Sequence, residues 1–413
     1  MTQAVLAQPA EAAREQAEPD HWLLLTTVLL TGFGLVMVLS ASQARAILDS
    51  GDALYYFKRQ VLFVAAGAAL MVTLMRIDYR RLRAIAIPLA LAAGVLLLLV
   101  PVAGVQANGA RRWFALGPLV LQPAELAKLA LAVGAAQWLT QGRERLRDLK
   151  HGLAPFAGML VVVLGLVLAE KDLGTTIVLT VMLVSAFLAA GGRKTHILLL
   201  AGGLAVAGAA LVLLEPYRFA RLATFANPFQ DQLGAGFQST QALYALGSGG
   251  VFGVGLGHSV QKFLWLPESH TDFIFAIIGE ETGLIGTTTV LGGFLFFAVR
   301  GYRAALRAPD RFGLVLATAI TSWIAFQALV NMATVTDTLP ITGVPLPLVS
   351  YGGSSVVATL AAIGVLLNIA SQGVRRPLLS SPKSRKHDQA LDLGRRDRWT
   401  PDARARRRAR SAR

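Results

Sequence analysis

The chain lacks cysteine and carries little charge. None of its 413 residues is cysteine, and only 15% are Asp, Glu, Lys or Arg. Disulfides and thiolate metal sites are therefore excluded, although the lack of cysteine does not distinguish one cellular compartment from another. With 54% hydrophobic residues and a mean hydropathy of +0.55, the chain has too few polar residues for a soluble protein of this length. The composition predicts an integral membrane protein.

Apolar runs recur along most of the chain, each close to the roughly 20 residues that cross a bilayer. They predict an all-α polytopic membrane protein with about ten transmembrane helices. The predicted spans cover residues 22–42, 57–75, 84–103, 122–140, 153–169, 174–191, 195–214, 271–299, 312–335 and 346–372.

Basic residues cluster in every second connection between these spans, at 76–83, 143–150, 193–194 and 300–311. Positive charge near a helix end resists translocation, so these connections and both termini are predicted to be cytoplasmic. The long connection at 215–270 then becomes a large extracytoplasmic loop between helices 7 and 8. Long ordered loops usually carry function.

The net charge of +15 is concentrated in one tail, because residues 374–413 hold 14 Lys or Arg and 4 Asp. We predict a cytoplasmic N-terminal tail at 1–21, a membrane domain at 22–373 and a disordered basic cytoplasmic tail at 374–413. The tail is interpreted as an anchor to anionic lipid, with docking of a partner as the alternative. No nucleic-acid partner is expected, since nothing resembles a folded nucleic-acid reader.

A polar, glycine-rich segment with the sequence PLPLVSYGGSS, at 345–355, directly borders the last apolar run. Non-helical backbone at membrane depth is tolerated where it lines a cavity or is buried in protein. The segment therefore predicts a lined pocket that includes Ser350, Tyr351, Gly352, Gly353 and Ser354.

The segment LPESHTDFIF, at 266–275, opens the eighth span. Thr271 is predicted to be its N-cap and Asp272 to lie in its first turn. Asp272 there either complements the helix dipole or, with Glu268 and His270 beside it, takes part in proton transfer. Deeper in the same helix, Glu280 and Glu281 are predicted to make packing or hydrogen-bonding contacts, with a conformational or catalytic role as the alternative.

Other charged residues gather at the predicted outer ends of the fourth and sixth spans. Glu125 and Lys128 are three residues apart, so they either neutralise each other or leave Lys128 free to bind an anionic phosphate. The preceding loop supplies Arg111, Arg112 and Trp113, and the arginines are predicted to join Lys128 in such a clamp. Asp172 stands at the start of the sixth span.

With these motifs the chain resembles the SEDS family of polytopic peptidoglycan glycosyltransferases, the group that includes FtsW and RodA, over about residues 22–375. Within the family it looks more similar to FtsW, the septal enzyme. It departs from the family pattern at Glu170-Lys171, where Gln-Pro is more usual, and at Thr282, where Leu is usual. The segments that carry the resemblance are 109–113, 122–128, 172–175, 266–275 and 345–355.

The resemblance implies that the protein polymerises lipid II by inverting transfer of a glycan from undecaprenyl pyrophosphate. It implies Asp272 as the base, with Arg111, Arg112 and Lys128 stabilising the pyrophosphate and Glu125 and Asp172 shaping the cavity. A divalent cation, Mg²⁺ or Mn²⁺, is compatible with this chemistry but is not demanded by the sequence.

The implied partners are a class B penicillin-binding protein and other division proteins, and the implied location is the division septum of a bacterial inner membrane. The alternatives left open are a lipid II flippase, a scaffold without chemistry of its own, and a RodA-like elongation polymerase.

Overall fold

The computed structural model describes residues 20–107, 110–117, 119–142, 144–214, 225, 228–234 and 236–373. Apart from residues 20 and 21, the predicted terminal tails at 1–21 and 374–413 lie outside the described residues. Part of the predicted outer loop, 215–224, lies outside them as well.

The described residues fold into α-helices and one small antiparallel sheet. The helices are α1 His21–Ser50, α2 Tyr55–Arg76, α3 Leu82–Ala103, α4 Pro123–Leu139, α5 Ala154–Ala169, α6 Leu173–Ala189, α7 Lys194–Leu214, α8 Phe237–Gly249, α9 Ile274–Arg307, α10 Arg311–Val335 and α11 Gly353–Ser371. The strands are β1 Val105–Ala107, β2 Ala110–Leu116 and β3 Leu119–Leu121, in the order β1-β2-β3.

Each of the ten predicted spans overlaps one helix. Among the described residues, seven helical segments are long and apolar enough to cross a membrane. Five are α1, α2, α9, α10 and α11, and the other two are α3 and α5 together with the helical turns directly before them, as Tyr79–Ala103 and Leu149–Ala169. The apolar helices α6 and α7 contain shorter stretches, and α4 is 17 residues long with two charged side chains buried within it. The prediction of a multi-pass membrane protein is confirmed, whereas the count of ten and the orientation stay predictions.

The centre of the molecule is formed by α10 and α11, whose apolar stretches are 78% and 72% buried. Glycines let α2 and α11 approach closely: a Cβ on Gly67 would lie 2.8 Å from Leu360 Cδ1, and one on Gly364 would lie 2.5 Å from the Met71 carbonyl oxygen. Close backbone approach at small residues is the usual way that helices associate in a bilayer.

The sheet was not part of the predicted all-α fold. It occupies the connection between α3 and α4, where β1 pairs with β2 and β2 pairs with β3. Gln106 opposes Arg111, and Phe114 opposes Leu121. Successive side chains of a strand point to opposite faces, so this sheet determines where the basic residues of β2 point.

Two predicted helix starts are wrong. Helix α9 begins at Ile274, with Phe273 rather than Thr271 at the N-cap. The backbone instead turns tightly at Glu268, whose φ is 54° and whose carbonyl accepts from the N–H groups of Thr271 and Phe273. Helix α11 begins at Gly353 rather than at 346, because residues 346–350 form turns in which Leu348 has a φ of 65°.

The glycine-rich residues 250–257, which follow α8, pack onto the backbone of α9 at a break in that helix. Gly283 has non-helical φ and ψ angles of 65° and −161°. Leu284 N donates to Gly250 O at 2.9 Å, and Val254 N donates to Glu280 O at 3.0 Å. The segment therefore satisfies backbone groups that the break in α9 would otherwise leave unpaired.

Glu280 and Glu281 make buried hydrogen bonds, as predicted. Lys262 Nζ donates to Glu281 Oε1 at 2.9 Å, and Ser40 Oγ donates to the same oxygen at 2.6 Å. Ser259 Oγ donates to Glu280 Oε2 at 2.5 Å. These bonds tie α1 and the loop after α8 to α9.

Candidate active site

A cavity of about 400 Å³, hereafter the main cavity, opens between α2, the sheet, the start of α4 and the loops that precede α6, α9 and α11. Its lining mixes cationic, anionic and aromatic side chains with exposed backbone. Nine of the predicted site residues line it: Arg112, Trp113, Glu125, Glu268, Asp272, Tyr351, Gly352, Gly353 and Ser354.

Asp272 is half-buried in the turn before α9, and a side chain of α10 holds its backbone. Asn331 Nδ2 donates to Asp272 O at 2.7 Å and to Val344 O at 2.8 Å. Gly343 leaves space beside the carboxylate, because a Cβ built there would lie 3.6 Å from Asp272 Oδ2. The position of Asp272 is thus determined by α10 and by the segment before α11, both remote in sequence.

Ser350 supports this turn and does not line the main cavity, contrary to the prediction. Its Oγ donates to Thr271 O at 2.6 Å and accepts from Leu346 N at 2.8 Å. From α2, Gln60 Nε2 donates to Ser350 O at 3.1 Å, while Gln60 Oε1 accepts from Gly352 N at 3.2 Å. The segment 345–355 is therefore held between α2 and the turn that contains Asp272.

His270 lies behind the cavity wall and is not among the lining residues. Its ring centroid is 4.7 Å from that of Tyr56 and 5.7 Å from that of Tyr351. Burial lowers the pKa of His270, against the opposing effect of the Glu268 charge. The neutral imidazole is favoured, and it supports Tyr351 from behind.

Glu125 and Lys128 pair with each other, and Lys128 does not reach the main cavity. The Lys128 side chain is 0% exposed, with Nζ 2.6 Å from Glu125 Oε1 and 2.7 Å from Gln327 Oε1. Gln327 Nε2 in turn donates to Pro345 O, a cavity residue, at 3.0 Å. Lys128 is thus a buried support, whereas Glu125 lines the cavity and its Oε2 has no partner among the described residues.

Asp172 caps α6 and does not line the main cavity. Its Oδ1 accepts from Thr175 N and its Oδ2 accepts from Thr175 Oγ1, both at 2.9 Å. The carboxylate is therefore used locally, as an N-cap usually is.

Arg111 and Arg112 lie in β2 and face different cavities. Arg112 lines the main cavity, while its guanidinium donates to Glu170 O at 3.1 Å and to Lys171 O at 2.6 Å. Arg111 donates to Val102 O at 3.0 Å and lines a second cavity of about 200 Å³. The predicted joint clamp of Arg111, Arg112 and Lys128 on one phosphate is therefore wrong.

Two cations of the main cavity, Arg59 and Lys171, were missed by the sequence analysis. Arg59 stands at the start of α2, where Nη1 donates to Tyr55 Oη at 2.5 Å and the guanidinium lies 5.2 Å from the Tyr55 ring centroid. The sequence did offer a signal for Arg59, because it is a basic residue at the predicted outer end of a span. Nothing in the local sequence indicated that Lys171, rather than Lys128, would face the cavity.

Three cationic side chains and three carboxyl groups thus line one cavity, which can hold an anionic group beside a proton acceptor. The cations are Arg59, Arg112 and Lys171, and the carboxyl groups are Glu125, Glu268 and Asp272. Among the described residues, no group of three or more His, Asp or Glu side chains is placed to hold a metal ion.

A sequence model of the FTSW_RODA_SPOVE family, described as cell cycle protein, matches residues 21–374. The chain belongs to this family. The resemblance inferred from the motifs is thereby confirmed. Stage V sporulation protein E of Bacillus subtilis (strain 168) is 41% identical over 359 residues, 86% of this chain and 98% of that protein. A protein of Geobacter metallireducens named probable peptidoglycan glycosyltransferase FtsW is 42% identical over 359 residues, 86% of this chain and 95% of that protein.

Solved structures of this FtsW/RodA family match the fold. A chain from a study of how a peptidoglycan synthase complex coordinates polymerization and crosslinking superposes with a TM-score of 0.72 at 31% identity, covering 85% of this chain and 97% of that one. The rod shape determining protein RodA of Thermus thermophilus gives a TM-score of 0.64 at 29% identity, covering 89% of this chain and 100% of that one.

Proposed function

We propose that this protein is a peptidoglycan glycosyltransferase that polymerises lipid II at the outer face of a bacterial inner membrane. The observation that carries the proposal is that Asp272 shares one cavity with Arg59, Arg112 and Lys171. A carboxylate beside several cations suits a transfer in which a hydroxyl loses a proton and a pyrophosphate leaves. The names of relatives such as the Geobacter metallireducens protein support the same activity.

In the proposed reaction, the 4-hydroxyl oxygen of an incoming lipid II attacks C1 of the terminal sugar of the growing glycan. The bond between C1 and the pyrophosphate oxygen breaks, and undecaprenyl pyrophosphate leaves with the electron pair. Asp272 accepts the hydroxyl proton. Attack from the face opposite the leaving group converts an α-linked donor into a β-1,4 link.

The cavity cations stabilise the charge that accumulates on the pyrophosphate. Arg112 is the best placed of them, because two backbone carbonyls hold its guanidinium at the cavity wall. Fixed cations cost no reorganisation when the negative charge develops, so they lower the barrier more than solvent would.

The proposal extends to septal synthesis during cell division together with a class B penicillin-binding protein. Identity of 42% to a relative named FtsW, against 29% to the RodA structure, favours the septal assignment. The match to a peptidoglycan synthase complex favours a transpeptidase partner. Depletion in the native bacterium is expected to give filaments; rounded cells that still divide would indicate the elongation role instead.

The activity is tested with the protein purified together with its class B penicillin-binding protein and supplied with labelled lipid II, with and without Mg²⁺ or Mn²⁺. We compare wild type, Asp272→Asn and the control Glu144→Gln, an exposed carboxylate outside both cavities. Wild type and the control are expected to form glycan polymer, and Asp272→Asn none, because the amide cannot accept the proton.

Equal amounts of polymer from wild type and Asp272→Asn would remove Asp272 from the chemistry. Absence of polymer from every variant, combined with movement of lipid II between leaflets of a proteoliposome, would support the flippase instead. Absence of both activities would support the scaffold.

A further inference from the structure

Glu170 is a buried carboxyl group that the proposed reaction does not use. It follows the last residue of α5, is 1% exposed, and neither of its carboxyl oxygens has a hydrogen-bond partner among the described residues. It lines the second cavity together with Arg111 and Lys171. Burying a carboxylate without hydrogen-bond partners costs free energy, and the cost is lower when the carboxyl group is neutral.

The same turn holds the guanidinium of Arg112. Lys171 N donates to Leu168 O at 2.9 Å and Asp172 N donates to Val167 O at 3.4 Å, the two bonds of a Schellman motif. Lys171 takes the left-handed conformation that this motif requires, with a φ of 58°. The carbonyls of Glu170 and Lys171 both accept from Arg112, so the carboxyl group and the anchor of Arg112 belong to one rigid turn.

Charged groups approach Glu170 from β2 and α6 as well as from its own turn. Arg111 and Arg112 come from β2, Asp172 from the N-cap of α6, and Lys171 follows directly. Burial, reinforced by the Asp172 charge and opposed by Arg112, raises the pKa of Glu170 to about 8. The carboxyl group is therefore neutral at pH 7 and ionises as the pH rises through this value.

We infer that Glu170 is a positioning residue for Arg112, and that its charge determines how strongly Arg112 acts on the substrate pyrophosphate in the main cavity. While Glu170 is neutral, its carboxyl group does not oppose the attraction between the Arg112 guanidinium and the substrate pyrophosphate. Once ionised, the carboxylate beside the anchor offsets the charge of Arg112 and draws the guanidinium toward the second cavity. The inference rests on the proposed function.

The inference predicts that the KM for lipid II depends on pH through the ionisation of Glu170. Above the pKa of about 8, the KM for lipid II in wild type is expected to rise roughly threefold to tenfold, the size of one partly screened charge interaction. Glu170→Gln stays neutral at every pH, so its KM is expected to show no such rise. Any pH effect that does not come from Glu170 is shared by both proteins and cancels in the comparison.

The experiment measures kcat and KM for lipid II polymerisation from about pH 6.5 to about pH 9.5. Wild type, Glu170→Gln and the control Glu144→Gln are each assayed in complex with the class B penicillin-binding protein. A rise in KM above about pH 8 in wild type and in the control, absent from Glu170→Gln, supports the inference. The same KM profile in wild type and Glu170→Gln would overturn it, since a structural role would lower activity equally at all pH values.

A second measurement does not depend on activity. Infrared difference spectra of the same complexes are expected to show a protonated carboxyl band that disappears on raising the pH in wild type and is missing in Glu170→Gln. If that band is absent from wild type at neutral pH, the inference fails. If wild type forms no polymer at any pH, the proposed function fails instead, whatever the infrared result.

Discussion

Arg111 and Arg112 are neighbours in β2, yet they bind backbone carbonyls of different helices. Arg111 donates to Val102 O in the last turn of α3, and Arg112 donates to the carbonyls of the turn that follows α5. Because side chains alternate along a strand, the two guanidinium groups line separate cavities. This alternation decides which arginine takes part in the proposed chemistry.

Arg112→Ala is therefore expected to lower kcat/KM for lipid II polymerisation by about 100-fold or more, as loss of a fixed charge stabiliser usually does. The matched variant Arg111→Ala removes the same charge one residue away and is expected to keep activity within about threefold of wild type. Polymerisation rates of the two purified complexes test this. Equal losses would mean that both arginines act on the substrate.

Lys128→Met is expected to destabilise the protein by about 3–5 kcal/mol, because it leaves the buried Glu125 carboxylate without its cation. The double variant Glu125→Gln/Lys128→Met removes both charges and is expected to recover a large part of this loss. Thermal unfolding in detergent is measured for wild type, Glu125→Gln, Lys128→Met and the double variant. This double-mutant cycle gives the coupling energy between the two residues. A double variant no more stable than Lys128→Met would contradict the pairing.

Lys171→Gly separates the backbone role of this residue from its charge. Glycine adopts a positive φ without strain, so the variant is expected to be as stable as wild type or more stable by up to about 1 kcal/mol. Loss of the ammonium group from the main cavity is expected to raise the KM for lipid II several-fold. Unfolding temperature and KM are measured on the same preparation, and an unchanged KM would show that the ammonium does not contact the substrate.

Gly253→Ala is expected to be at least about 2 kcal/mol more destabilising than Gly257→Ala. The two glycines have φ values of 80° and 82°, so an added side chain is strained at both. A Cβ on Gly253 would lie 2.2 Å from the Glu281 carbonyl oxygen, whereas one on Gly257 would meet nothing within 4 Å. Equal thermal stability of the two variants would show that residues 250–257 do not pack on the break in α9.

The sequence predicted membrane helices well and side-chain direction poorly. Apolar length alone located α1 and α10, because a helix in lipid must satisfy its own backbone and expose apolar side chains. The start of α9 was misplaced, since Thr271 fits an N-cap by residue type but its backbone is held by the turn at Glu268. Such a turn depends on contacts with Asn331 and Ser350, which are remote in sequence.

The sequence by itself therefore determined the membrane domain, the family, and the short motifs from which the candidate site is built. Only the tertiary structure decided that Arg59 and Lys171 face the main cavity while Lys128 supports it from the protein interior. The physical reason is that hydropathy is a property of each segment on its own. The direction of a charged side chain is instead determined by strand alternation, by turns with positive φ, and by the carbonyls and carboxylates that other segments bring within hydrogen-bonding distance.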